Sequence, residues 1–184
     1  MSCVDLTASR MQHDGEGGFT LLEVMIASVY LAIGLLTIAA MEDIALSRNV
    51  DAKRLTVATN LTTEMIERIR FNSPANSTSF VGVGYPYHNI QACNYTGPTC
   101  PGGSTPGSAT ANATANGDYN QWLGHLSATD SAGQPVLPNA MGTVSSTAVA
   151  NPADLNQVLI TVTIRWSTGF RTPTVTMTTM VAPL

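Results

Sequence analysis

Few side chains in this sequence have a type and spacing that could do chemistry. Glu23 is a lone carboxylate in an apolar run, "GGFTLLEVMIASVYLAIGLLTIAAME", from Gly17 to Glu42. Thr20 and Glu23 make the T-x-x-E pattern, in which each side chain satisfies a backbone N–H at a helix start. A carboxylate in the first turn also suits the positive end of the helix dipole. Neither effect needs a function. At membrane depth, however, a carboxylate costs about 2.5–3.5 kcal/mol on insertion scales, and a nearby cation would offset that. A cut between Gly18 and Phe19 would create one. The new ammonium at Phe19 lies four residues from Glu23, so among packed helices Glu23 of one subunit can pair with the terminus of a neighbour.

Cys93 and Cys100, with Tyr95, Gly97 and Pro98 between them, are the second candidate group. Their spacing suits a short disulfide loop in an oxidising compartment. A metal site is the rival reading. It would need His88 and His125 as further ligands, and the sequence has no CxxC spacing. His125 reads as a surface or packing residue. There is no GxxxxGK[ST] loop, no HExxH, no nucleophile elbow and no carboxylate pair in the carboxyl-terminal part. The sequons at Asn94 and Asn112 are expected by chance in so Asn- and Thr-rich a chain. No enzyme, cofactor or metal is expected.

Composition points to a membrane-linked structural role. Of 184 residues, 44% are hydrophobic and only 11% charged, against about 25% charged in average proteins. The net charge of -4 advertises no basic surface for nucleic acid. From Ser73 onward the charged residues are Asp118, Asp130, Asp154, Arg165 and Arg171. Solubility there rests on hydroxyls and amides.

These groups must be positioned by a small number of elements. Phe19–Met41 is long enough, at roughly 35 Å as a helix, to cross a hydrocarbon core of about 30 Å. It is too long for the apolar core of a secretory signal peptide, about 7–15 residues. Helix continues to about Phe71, roughly 80 Å in all, with Ala58, Leu61, Met65 and Ile69 as a stripe and Leu55 and Ile66 beside it. Glu64 and Arg68 form an i,i+4 pair. "NSP" at Asn72–Pro74 ends the helix. Residues 73–117 read as a loop rich in Gly, Ser, Thr and Pro. "DYNQWLGHL" reads as a short helix N-capped by Asp118, with Trp122, Leu123 and Leu126 on one side. Strands follow at Gly142–Val149, at Gln157–Trp166 and in "TVTMTTMVA", with "STGFR" as a hairpin turn. The expected fold is α+β: a long amino-terminal helix packed on an antiparallel sheet of about three to four strands.

The run "GFTLLEVMIA" resembles the cleavage and assembly motif of type IV pilins and type II secretion pseudopilins. The resemblance implies that Gly18 ends a leader and that Phe19 becomes the N-methylated first residue. Glu23 then matches the family's assembly glutamate. Within the family the chain looks most like the minor-pilin subgroup called PilV. "LAIGLL" at Leu31–Leu36, "ERIR" at Glu67–Arg70, Trp122, Leu137–Val144 and Gln157–Trp166 carry that likeness, and Ala40 stands where major pilins usually have Pro. Two features depart from the family. Arg10 is the only Lys or Arg before the cut. Arg48, Lys53 and Arg54 follow the span, which by charge count alone would put the carboxyl side in the cytoplasm. The motif and the cysteines argue for a periplasmic head instead.

The resemblance implies five parts: a leader over 1–18, a membrane and assembly helix over 19–41, its periplasmic half over 42–72, a variable disulfide loop over 73–117, and a head over 118–184. The implied partners are other pilins and minor pilins, a prepilin peptidase and the inner-membrane pilus assembly machinery. The implied role is to prime or cap a pilus, with adhesion, twitching motility or DNA uptake as its outlets. A type II secretion pseudopilin is the alternative within the class. A membrane-anchored adhesive module that never polymerises is the alternative outside it.

Overall fold

A computed structural model describes residues 18–72, 85–95, 100, 102–148, 157–169 and 171–181. The first helix, α1, spans Leu21–Asn72 without interruption. Then come β1 (Ile90–Cys93), a 3-10 helix (Gly107–Ala111), α2 (Ala113–Leu126), β2 (Met141–Ala148), β3 (Val158–Arg165) and β4 (Thr174–Val181). The chain divides into two compact units, one ending at Ser47 and one beginning at Arg48.

In the first unit every described residue is exposed. Leu22, Val29, Leu31, Ile33 and Leu36 leave 57–73% of their surface uncovered. No Pro interrupts Leu21–Ser47, so the i→i−4 ladder is unbroken. The hydroxyls of Ser28 and Thr37 donate back to the carbonyls of Met25 and Ile33, at 2.7 and 2.9 Å. Such back-bonding satisfies polar side chains where there is no water to do it. An 18-residue window of this run has a mean hydropathy of 2.3.

The second unit is helix on sheet. The four strands lie in the order β1-β2-β3-β4, all antiparallel to their neighbours. Strict alternation puts Val158, Ile160, Val162 and Ile164 of β3 on the covered face. Ile90, Ala92 and Val144 extend that face across β1 and β2. Against it lie Ala58, Leu61, Met65 and Ile69 of α1 and Trp122 and Leu126 of α2, all in one hydrophobic cluster. Each large aliphatic side chain so buried contributes about 1.5–3 kcal/mol. This is the α+β arrangement that the periodicity predicts, with helices gathered on one face of an antiparallel sheet.

Two expectations are corrected. The short helix begins at Ala113, not Asp118, and Asn112 is its N-cap, its side chain accepting from the Thr114 and Ala115 amides at 3.0 and 3.1 Å. Asp118 sits inside α2 and is 8% exposed. The segment 73–117 is not all loop, since it holds β1, the 3-10 helix and the start of α2. Four residues, "IQAC", are too few to show a period, and β1 exists because β2 pairs with it (Ile90 opposite Val144, Cys93 opposite Met141). Elsewhere the strands lie within a residue of the expected bounds, β2 at Met141–Ala148 for Gly142–Val149 and β3 at Val158–Arg165 for Gln157–Trp166. α1 ends at Asn72, and the β3–β4 hairpin closes where the Thr168 amide donates to the Arg171 carbonyl at 2.9 Å, with Gly169 at φ 87°. Residues 1–17 of the expected leader, Gly97 and Pro98 of the cysteine loop, and Val149 of the expected strand lie outside the described residues.

Candidate functional site

The start of α1 carries the first candidate group. Thr20 caps the helix, its hydroxyl accepting from the Glu23 amide at 3.2 Å and its carbonyl accepting the same amide at 3.0 Å. Only half of the capping box forms. The Glu23 carboxylate makes no hydrogen bond or ion pair among the described residues. Gly18 and Phe19 precede the helix, and Phe19 is 81% exposed. Helix capping thus accounts for Thr20 and leaves the acid of Glu23 unused.

A partly buried polar network ties α1 to α2 and to the chain before β1. Asp118 accepts from Arg68 at 3.0 Å, from Asn72 at 2.7 Å and from the Tyr87 hydroxyl at 2.6 Å. Arg68 also donates to Glu64 at 2.7 Å and to Gln121 at 2.7 Å. His125 reaches the same Glu64 at 3.1 Å. Burial opposes the charge on Arg68, but its bonds to Asp118 and Glu64 outweigh that and raise its pKa. Burial first, and then donation to the Asp118 carboxylate, push the Tyr87 phenol far above its ordinary range. Sequence spacing shows the Glu64–Arg68 pair. It cannot show Asp118, whose partners lie 31 to 50 residues away. Arg68, Asn72 and Tyr87 all donate to the one Asp118 carboxylate, so the network is a fastening of the head.

Cys93 and Cys100 form a disulfide, with Cα atoms 6.5 Å apart. Joined, they are not available to a metal. Ser104 holds the loop to β1, accepting from the Cys93 amide at 2.8 Å and donating to the Cys93 carbonyl at 3.1 Å. Gln91 donates to the Gly103 carbonyl at 2.9 Å. Among the described residues, no three His, Cys, Asp or Glu side chains gather where they could hold a metal.

The fold brings together one serine and one histidine that the sequence leaves 58 residues apart: His88 Nδ1 lies 2.7 Å from Ser146 Oγ. A base beside a hydroxyl can in principle activate it. Ser146 points to the covered face of β2 and is 6% exposed, so a substrate has no approach to its oxygen. The pair is a hydrogen bond that satisfies a buried hydroxyl. Two sequon asparagines, Asn94 and Asn112, are also employed structurally. Asn112 caps α2. Asn94 donates to the Leu126 and Leu137 carbonyls and accepts from the Ala140 amide.

An exposed apolar helix of membrane-crossing length carries one uncompensated carboxylate in its first turn. Comparison of the chain with protein-family models, with curated proteins and with solved structures found no match.

Proposed function

We propose that the chain is a filament subunit of the type IV pilin class, a minor pilin of the PilV type. The observation that carries this reading is the Glu23 carboxylate, without a partner among the described residues and placed one turn after Gly18–Phe19 on a stretch of helix, Leu21–Ser47, whose apolar side chains are all exposed. The prepilin is held in the inner membrane by α1, with its disulfide-bearing head in the periplasm. A prepilin peptidase removes residues 1–18, and the Phe19 amine is methylated. Phe19 and Glu23 of adjacent subunits then pair as the α1 segments bundle, and burial of aliphatic surface drives the packing. The low-charge, Thr-rich heads remain outside. The subunit primes or caps the filament with companion pilins, and adhesion, motility or DNA uptake follows from that filament.

The test is the amino terminus of the mature protein, read by mass spectrometry. N-methylated Phe19 is the expected residue. Material that still begins at Met1, or that begins beyond Ala40, overturns the assignment.

A further inference from the structure

Glu23 leaves one further set of charges unaccounted for. In the second unit, Arg48, Asp51 and Leu55 of α1 face Trp166, Arg171 and Pro173 of the β3–β4 hairpin across a cleft of about 450 Å³. Its groups are mostly donors. The side chains of Arg48 and Arg171 make no ion pair and no hydrogen bond among the described residues. Trp166, whose ring lines the cleft, keeps its indole N–H buried and without a partner among them. The one acid is Asp51, which leans toward Arg54 at 3.8 Å. The cleft thus holds two cations, Arg48 and Arg171, without an anionic partner among the described residues.

The complementary charge is in the same sequence. Glu42 and Asp43 are adjacent, exposed and without an ion pair among the described residues. They are the first charges after the apolar run. We propose that the Arg48–Arg171 cleft of one copy receives the Glu42–Asp43 pair of a second copy. Donor and receiver are different patches, so the contact is heterologous. A heterologous contact that does not close into a ring propagates as an open helical assembly. The inference rests on the assembly reading above and adds to it a second, electrostatic contact that fixes the register of one subunit against the next. Charged pairs of this kind act mainly on orientation and choice of partner.

The test uses the full chain produced alone in bacterial inner membranes, in a Cys3→Ser background. One tagged copy carries Asp43→Cys and a differently tagged copy carries Arg171→Cys. The expected result is a mixed cross-linked dimer, about fivefold or more above an Asp43→Cys and Thr178→Cys control. Adding Arg48→Glu to the Arg171→Cys copy lowers the yield about tenfold, and Glu42→Arg in the other copy restores it. A mixed dimer indifferent to these charges overturns the proposal. If copies with Leu31→Cys cross-link through their helices while the cleft pair does not, the cleft contact is wrong and the assembly reading stands. If neither pair cross-links, copies of this chain do not adjoin and the cleft proposal is overturned, while the assembly reading, whose neighbours are companion pilins, is decided by the amino-terminal measurement above.

Discussion

The Trp122 indole N–H donates to the Leu61 carbonyl at 3.0 Å, and the same ring lies directly over Gly142. One side chain of α2 thereby locks to α1 through a hydrogen bond and to β2 through contact. A buried indole needs an acceptor, and here the helix backbone supplies it. The face of β2 supplies room by having no side chain at Gly142.

That room is used up. A Cβ at Gly142 would overlap the Trp122 ring, so Gly142→Ala should destabilise the head by about 1–3 kcal/mol, the usual cost of overpacking. Urea unfolding of the full chain in detergent, followed by near-ultraviolet circular dichroism, measures it. An unchanged midpoint would show that Trp122 moves aside without penalty.

Asp118 joins three segments through Arg68, Asn72 and Tyr87. Asp118→Ala leaves a buried phenol without its acceptor and takes one acceptor from a partly buried guanidinium that keeps Glu64 and Gln121. The expected loss is about 2–3 kcal/mol, below that of a fully buried pair because Arg68 keeps 22% of its side chain in solvent. Truncating Asp130, an exposed acid in the turn after α2, should cost less than half as much. Equal losses would mean that the network fastens nothing.

The raised Tyr87 phenol sets an alkaline limit. The folded state keeps this proton at pH values where the unfolded chain, titrating near the ordinary phenol value of about 10, has released it. The stabilisation is complete below pH 10 and is lost as pH rises through the folded value. Its slope approaches about 1.4 kcal/mol per pH unit for one group. Tyr119, also raised by burial, contributes with the same sign. Tyr87→Phe should flatten, without abolishing, the fall in stability between pH 10 and 12. A parallel decline in both proteins would remove Tyr87 from the account.

For Glu23 the expected effect is on assembly alone. Glu23→Ala removes the carboxylate and keeps the Thr20 cap, whose acceptor is a hydroxyl on a different residue. Processing should stay near its normal extent, while the amount entering filaments falls about tenfold or more, as a membrane-depth charge pair is lost. Gly18→Ser should do the reverse and stop the cut. Normal filament entry of the alanine variant would sink the pairing of Phe19 with Glu23.

Much of this architecture is legible in the order of residues, because the signals concerned are local. The run from Phe19 to Met41 declares its length and apolarity residue by residue. Asn72 before a Ser-Pro pair marks where helix must stop. The alternation from Val158 to Ile164 shows which side of β3 is covered, and Thr20 three residues before Glu23 marks a helix start. Each of these depends on neighbours within a turn or two of the chain, so no fold is needed to see it. Folding decides what distance along the chain conceals. β1 is strand because β2 lies beside it. Asp118 is a buried acceptor rather than a cap because Arg68, Asn72 and Tyr87 converge on it from other segments. Gly142 must be glycine because Trp122 arrives from α2. Arg48 and Arg171, 123 positions apart in sequence, share a cleft because the β3–β4 hairpin returns to α1. Close packing and low dielectric give such meetings their energy, and both exist only once the chain has folded on itself.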